Sequence, residues 1–527
     1  MLNTRQPCDD AVITSHREVG DCGEVVGRWV LAAAILGSSI SFIDGTVVNV
    51  ALPVLQRDIS ASVGQTQWVV EAYALMLSAL ILVGGSLGDR FGRKKIFSLG
   101  VLLFGVASAL CGAAQNADQL IISRGGQGIG AAMLVPGSLA LISANFKKQR
   151  RGRAIGTWSG LTAIAAGIGP VLGGWLVENF SWRWVFFINI PLVAAVLLIT
   201  WIRVPESRDD EDMGRIDWAG AVLATVGLGG VVFALIESNS RGKSDLLVVA
   251  SFIIGLAALI AFVIVEARIK NPMMPLKLFA SPAFAGANLL TLLLYAGLGG
   301  LMFFLPFVLI QVQGYTPTAA GASLVPFVVT MFVLGRWAGG LVDSYGSKLP
   351  LTIGPMIAAG GFALFALPGA DAGSYWTSYF PAVMVMSIGM SIAVAPLTTT
   401  VMGAVEERHA GTASGINNAV SRTAGLIAVA VFGVVLLNVF AGSFTMQISS
   451  SQIPPDARQH LIQQSGDLAA IKIPEELSSD AKAAATAAIR NSFISGFRFV
   501  TLIAATLGVI SGVIAFLIIP GKPENIQ

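Results

Sequence analysis

The chain has 527 residues, of which 54% are hydrophobic and only 12% charged, with a mean hydropathy of +0.75 and a formal net charge of +3. A soluble surface needs about twice that charged fraction, which excludes a water-soluble globule and a disordered chain alike. A nucleic-acid binder is excluded because so small a charge over this length makes no basic footprint, and the scattered Cys8, Cys22, Cys111, His16, His409 and His460 form neither a disulfide framework nor a metal site.

A helix that crosses the hydrocarbon core needs about 20 apolar residues. Fourteen stretches qualify, at 28–52, 68–88, 96–114, 119–143, 153–177, 183–202, 216–236, 246–266, 284–310, 318–341, 349–369, 378–401, 412–438 and 493–519. The expected fold is an all-α polytopic membrane protein with 14 transmembrane helices. The polar residues 1–27 include Asp9, Asp10, Glu18, Asp21 and Glu24, unlike the basic start of a cleavable signal, so the first span reads as an uncleaved insertion signal. With the N-terminus inside, roughly 22 of the 33 basic residues fall on inside segments. Arg90, Arg93, Lys94, Lys95 and Lys147, Lys148, Arg150, Arg151, Arg153 form the densest clusters. Both termini are therefore expected in the cytoplasm, the protein lying in the cytoplasmic (inner) membrane.

An internal repeat divides the spans. Gly85-Ser-Leu-Gly-Asp89-Arg90-Phe-Gly92-Arg93-Lys94 after the second span is echoed by Gly339-Gly-Leu-Val-Asp343-Ser-Tyr-Gly346-Ser-Lys348 after the tenth. A duplicated bundle is the economical explanation. The expected organisation is a tail (1–27), a six-helix bundle (28–202), a linker with two inserted spans (203–283), a second six-helix bundle (284–519) and a tail (520–527). An external loop at 440–492 interrupts the second bundle. Its Ala-rich stretch Glu475–Ile489 has helical composition, and the loop reads either as an ornament or as a lid over the substrate path. In the repeated turns, Asp89 with Arg90 and Arg93, and Asp343 in the echo, could form an inner gate that latches in one conformation and opens in another. The alternative is a basic loop that only sets topology.

The order of these motifs resembles the major facilitator superfamily, in its fourteen-helix drug/proton antiporter branch. The Gly85–Lys94 turn is similar to that superfamily's signature between helices two and three. Ile43-Asp44-Gly-Thr46-Val-Val-Asn49-Val-Ala-Leu-Pro53 resembles the branch's helix-one motif, and Arg124-Gly-Gly-Gln127-Gly128-Ile-Gly130 its helix-four motif. Gly167-Ile-Gly169-Pro170-Val-Leu-Gly173-Gly174 resembles the antiporter motif of helix five. Trp182-Arg183-Trp184-Val-Phe-Phe-Ile-Asn189-Ile-Pro191 resembles the opening of helix six, and Gly411-Thr-Ala-Ser-Gly415-Ile-Asn417-Asn418 a stretch of helix thirteen. Ala165 departs from a common glycine, and Ser344 and Ser347 stand where basic residues would sit, which weakens the second latch. The resemblance implies proton-coupled efflux of hydrophobic or cationic drugs by alternating access, with multidrug and antibiotic resistance as its biological setting.

Charged groups inside spans cost about 2.5–3.5 kcal/mol at mid-helix and are functional suspects. Asp44, Glu71 and Arg124 lie at compatible depths in the outer half of the first bundle and are the proton-coupling candidates. Asp44 reads as the coupling acid or as a permanently paired structural carboxylate. Glu71 reads as a second acid for cationic drugs or as a side chain snorkelling to the outer edge. Arg124, beside Gly125 and Gly126, reads as a relay or as packing. Asn417, Asn418 and Arg422 make a possible polar site in the second half. Gly169, Pro170, Gly173 and Gly174 are conformational, through a bend and close helix approach. No Walker sequence is present: Glu237 occupies the first-glycine position ahead of Gly242-Lys243-Ser244. The expectation is a secondary transporter and not an enzyme, without ATP site, metal or cofactor beyond the proton. Its partners are small hydrophobic or cationic substrates and the lipid bilayer. The rivals are an antiporter for one metabolite or lipid, an uncoupled facilitator, and a non-transporting sensor or scaffold. Oligomeric state stays open, a monomer being the default.

Overall fold

The computed structural model describes residues 22–146, 148–208, 217–270, 272–406 and 409–521. Lys147, the ends of both tails and the side chain of Asp343 lie outside the described residues.

Among the described residues the fold is helical throughout, because in hydrocarbon every backbone N–H and C=O must find its partner within the segment. The first bundle comprises α1 (Cys22–Asp58), α2 (Val63–Phe91), α3 (Arg93–Ala113), α4 (Ala117–Asn145), α5 (Lys148–Asn179), the short α6 (Trp184–Phe187) and α7 (Asn189–Arg203). The inserted pair is α8 (Trp218–Glu237) and α9 (Leu246–Arg268). The second bundle holds α10 (Pro282–Phe307), α11 (Pro317–Ala322), α12 (Val325–Gly339), α13 (Leu341–Tyr345), α14 (Lys348–Leu364), α15 (Tyr375–Ser378), α16 (Phe380–Gly403) and α17 (Ala410–Ser449). After α18 (Pro455–Gln463) the chain returns through α19 (Ser479–Ile518). Side-chain caps start several helices: Ser62 forms a capping box with Gln65, and Asn116, Asp245 and Ser281 each accept from a first-turn N–H.

Thirteen of these segments are long and apolar enough to span a membrane. The eleventh expected span, 349–369, is the shorter apolar helix Lys348–Leu364. The sixth and tenth spans are each interrupted, between α6 and α7 and between α11 and α12, next to Pro191 and Pro326. The external loop expected over 440–492 is also shorter. Helix α17 extends to Ser449, and the Ala-rich stretch is the capped start of α19, where Ser478 accepts from the Ala481 N–H. What remains, 450–478, is no free ornament. Ile453, Leu461, Leu468 and Ile471 are buried in the main core, and Leu468 meets Gln56, Phe303, Phe304, Phe307 and Gln311 around a small apolar hollow.

Glycines bring helices together where larger side chains could not fit. Gly84 abuts the Ala132 carbonyl, and Gly128 and Gly130 seat α4 against Tyr73 of α2 and Phe104 of α3. Gly125, next to Arg124, faces open space. The inserted pair packs through Gly230 and Gly255. One side of α8 lies against α2 and α17 through Leu228, Val232 and Ile236, with Leu75, Leu426 and Ala430. Most of α9 (Leu246, Ile253, Ile254, Ile260) remains exposed, as expected of a lipid-facing surface.

The bundles close on one another at the end away from the termini. There, Gln311 Nε2 donates to Gln56 Oε1 at 3.2 Å, and the Thr318 N–H donates to Glu178 Oε2 at 3.2 Å. Gly174 touches Pro317, Gly321 touches the Pro170 carbonyl, and Gly167 meets Val328. Helical periodicity continues that stripe of α5 through Gly160, Gly156 and Gly152, and that of α12 through Gly335 and Gly339. At all five, a methyl carbon in place of the glycine hydrogen would meet nothing within 4 Å. The α5–α12 seam is thus sealed at its far end and split toward the termini.

Candidate functional site

Asp44 sits mid-way along α1, surrounded by α4 and α7. Its carboxylate pairs with the Arg124 guanidinium, and its Oδ1 accepts from Gln127 Nε2 and Asn189 Nδ2, each at 3.2 Å. Arg124 is equally well held. Its Nη1 donates to Gln127 Oε1 at 2.7 Å, its Nε to the Val69 carbonyl at 2.9 Å, and its guanidinium lies over the Tyr73 ring at 4.4 Å. Both charged residues are 0% exposed. Their desolvation is offset by direct pairing and by donors and acceptors on every side, the condition a buried ion pair needs. Tyr73 hydrogen-bonds Ser41 at 2.7 Å, and Asn189 also donates to Ser108 at 3.0 Å.

The structure therefore brings Asp44 and Arg124 together, and adds Gln127, Asn189 and Tyr73. Asn189 had a visible signal, an amide in an otherwise apolar span.

Glu71 is elsewhere. One turn from Gln67 and Leu75, it lies on the face of α2 that meets α17 and α8, where Gln67 donates to the Val429 carbonyl. It is 0% exposed, and neither carboxyl oxygen has a hydrogen-bond partner. The snorkelling reading fails, since a snorkelling acid keeps its head in water.

The conformational residues divide into two sets. Gly169 and Gly173 seat Thr46 and Val47 of α1 inside the first bundle, where Thr46 Oγ1 donates to the Ala166 carbonyl at 3.0 Å. Gly174 and Pro170 face α11 across the seam. Helix α5 runs unbroken through Pro170.

At the turn after α2, Asp89 Oδ1 accepts from Arg93 Nε at 2.7 Å, and Arg90 lies over Phe91. Glu206, which the sequence did not single out, accepts from the N–H groups of Lys94 and Lys95 at 2.9 and 3.2 Å, stapling the start of α3 to the chain beyond α7. The Trp182-Arg183 pair that opens the sixth span has a comparable role at the other end. Trp182 Nε1 donates to Asp58 at 2.6 Å, while Arg183 reaches Asp58 and the Ala114 carbonyl.

The three polar residues of the second half do not converge. Asn417 donates to Asn288 and Thr291 of α10, at 3.1 and 2.7 Å. Asn418 is exposed and bonds the Ser414 carbonyl of its own helix. Arg422 is half-buried, within electrostatic reach of Tyr73 in the opposite bundle. Among the described residues no cluster of three or more His, Cys, Asp or Glu could hold a metal.

The sequence family described as the Major Facilitator Superfamily matches residues 34–429. The chain is 34% identical to the puromycin resistance protein pur8 of Streptomyces alboniger, over 77% of this chain and 81% of that one. It is 32% identical to the multidrug resistance protein Stp of Mycobacterium tuberculosis (82% and 80% covered) and 28% identical to the tetracenomycin C resistance and export protein of Streptomyces glaucescens (94% and 92%). Among solved structures, a bacterial homologue of the human lysosomal transporter Spinster, inward-facing and unoccupied, superposes with a TM-score of 0.65 at 18% identity, covering 93% of this chain and 96% of that one. The xylose transporter XylE of E. coli, in its inward-open conformation, gives 0.56 at 14% identity, covering 94% and 97%. These two likenesses concern the fold. With a family match over most of its length and relatives above 30% identity, the chain belongs to the major facilitator superfamily and is a multi-pass membrane transporter.

Proposed function

We propose that the protein exports hydrophobic or cationic compounds across the cytoplasmic membrane in exchange for protons, by alternating access between its two six-helix bundles. The observation that carries this reading is the buried Asp44–Arg124 pair, an acid and a base with no exposure, inside the bundle that must rock. The resistance and export relatives support efflux as the direction. The excess of Lys and Arg on one set of loops supports a cytoplasmic position for both termini, so the split α5–α12 seam opens inward.

In this state the Asp44 carboxylate accepts from three side-chain donors, Arg124, Gln127 and Asn189. Cargo in the cleft does not touch it. Coupling runs through Arg124, which rests on Tyr73, which in turn lies within reach of Arg422 on the second bundle. When a proton from the outside neutralises Asp44, Arg124 loses its counter-charge and the contact between the bundles changes. Glu71 supplies a second acid at the junction of α2, α8 and α17. Without donors, its ionised form is costly there until a cationic cargo arrives to balance it.

The test is efflux from proteoliposomes under an imposed pH gradient, with a cationic dye, a neutral drug and a lipid as cargo, alongside cargo-induced proton release from the purified protein. Uphill efflux and proton release are expected in the wild type and absent in Asp44→Asn. Full-rate uphill pumping by Asp44→Asn would refute the coupling. Movement of one metabolite or lipid alone would refute the drug range, and cargo movement without proton release would make the protein a facilitator. A sensor or scaffold would move none of them.

A further inference from the structure

Two carboxyls meet where the chain leaves the first bundle and where it enters the second. Asp217 caps the first turn of α8, its Oδ1 accepting from the Gly220 N–H at 2.7 Å. Glu266 stands near the end of α9, its Oε2 accepting at 3.0 Å from the N–H of Met274, in the linker that leads to α10. Each carboxyl is thereby half satisfied. The remaining oxygens, Asp217 Oδ2 and Glu266 Oε1, are buried without a donor, on side chains 3% and 2% exposed.

Those two orphan oxygens converge. A methyl carbon placed on Gly220 would lie 2.5 Å from Asp217 Oδ2 and 2.9 Å from Glu266 Oε1, so both orphan oxygens border the same small space beside that glycine. From α8, the charged group facing Glu266 is Asp217; from the linker, it meets the backbone amides of Met273 and Met274. Among the described residues, no lysine or arginine contributes to this couple. Two ionised carboxylates at that range, shielded from water, repel each other, and both oxygens want a donor. One proton between them removes one charge and supplies one hydrogen bond that satisfies both oxygens.

We propose that Asp217 and Glu266 bind a single proton between them, as a protonation site separate from Asp44 and Glu71, and that this proton clasps the inserted helix pair to the linker entering the second bundle. Loss of the proton to the adjoining aqueous phase leaves two facing negative charges. Glu266 then withdraws, its hold on the Met274 N–H weakens, and the 272–281 linker gains freedom. A tether between two bodies that rock against each other is thereby made sensitive to pH on the side of the termini. The proposal is independent of the cargo and of coupling at Asp44, so its test needs no transport.

The full chain in nanodiscs is compared with Glu266→Gln and Asp217→Asn by infrared spectroscopy of carboxyl C=O bands and by hydrogen exchange of peptides covering 272–281, corrected for the intrinsic pH dependence of exchange. The wild type should show a protonated-carboxyl band in mildly acidic buffer that disappears in mildly alkaline buffer and is absent from Glu266→Gln. Its linker should exchange about tenfold or more faster after that rise in pH. Glu266→Gln should remain protected throughout, because its amide N–H donates permanently to Asp217 Oδ2. The proposal is overturned if the wild type and Glu266→Gln follow the same pH course, or if no band is lost. It is equally overturned if protection follows sodium concentration at constant pH, since the couple would then hold a metal cation.

Discussion

Gly174 and Gly173 are neighbours in sequence, yet they report on different events. A methyl carbon at Gly174 would lie 2.6 Å from the Pro317 carbonyl carbon and 2.7 Å from Thr318 Cα, both backbone atoms of the opposite bundle. At Gly173 it would meet Val47, 2.5 Å from Cγ2 and 2.8 Å from the carbonyl oxygen, within the same bundle. Overpacking of this kind costs about 1–3 kcal/mol. In Gly174→Ala that strain exists only while the far end of the seam is closed, so the ratio of open to closed seam should rise about 5- to 150-fold. In Gly173→Ala it is present in both states and should reduce stability without moving the ratio. The assay is modification by a membrane-impermeant maleimide of a cysteine replacing Gln311, at the closed end itself, in a chain whose three native cysteines are serine; the lost bond to Gln56 is common to every variant compared. Gly174→Ala should accelerate labelling from the outside, as should Gly321→Ala, whose added methyl carbon would lie 2.6 Å from the Pro170 carbonyl carbon. An unchanged rate in both variants, or an equal acceleration in Gly173→Ala, would refute the reading of the seam.

Asp44→Asn strands the Arg124 charge and should cost stability, toward the low side of about 3–5 kcal/mol because Gln127, Val69 and Tyr73 still hold the guanidinium. Adding Arg124→Gln should recover most of that loss in thermal unfolding while proton release stays absent; a double variant less stable than Asp44→Asn would contradict the pairing. Leu468→Ala removes the side chain buried among Phe303, Phe304 and Phe307 and should cost about 2–5 kcal/mol locally, read as faster hydrogen exchange across 465–471 with little change in α2. Beside it, burial raises the Asp467 carboxyl above its ordinary value, with Lys472 drawing it partly back. Docking of the 450–478 segment is therefore fully favoured below the free carboxyl's value of about 3.9 and weakens as pH rises through the elevated docked value, so exchange across 465–471, corrected for its intrinsic pH dependence, should be slower in acid and Asp467→Asn should remove that dependence.

The sequence located the charged groups but not their pairing. Asp44 and Arg124 stood out because an ion in an apolar span is expensive, and a rise of about 1.5 Å per residue placed them at similar depth. The same arithmetic placed Glu71 beside them, because depth measures position along the helix axis and ignores rotation about it. Successive residues turn by roughly 100°, so Glu71 lies about 200° around α2 from both Val69 and Tyr73, the two residues that hold Arg124. It was bound to face another element. Hydropathy likewise marked where the membrane ends and not where a helix does. A helix with a good cap continues into water, which is how Ser478 and the Ala-rich stretch became the first turns of α19. Glu206 left no trace in the sequence, since one carboxylate in a polar linker looks like any other until the start of α3 is beside it.

The charges in and around the cleft do not balance, and the imbalance bears on cargo. Asp44 and Arg124 cancel. Arg422 is left as a half-buried cation with Tyr73 as its electrostatic neighbour. Glu71 is left as a buried acid with no donor. With Glu71 protonated, these four described groups carry one net positive charge and repel a cationic compound. If Glu71 releases its proton, the charge falls to zero, and a cation bound near Glu71 restores the earlier total. A cationic cargo and the Glu71 proton are therefore alternative occupants of one electrostatic position, whereas a neutral cargo competes with nothing there. Glu71→Gln should then abolish exchange of the cationic dye while sparing that of the neutral drug, because the Asp44–Arg124 pair, proposed above as the coupling site for both, is untouched.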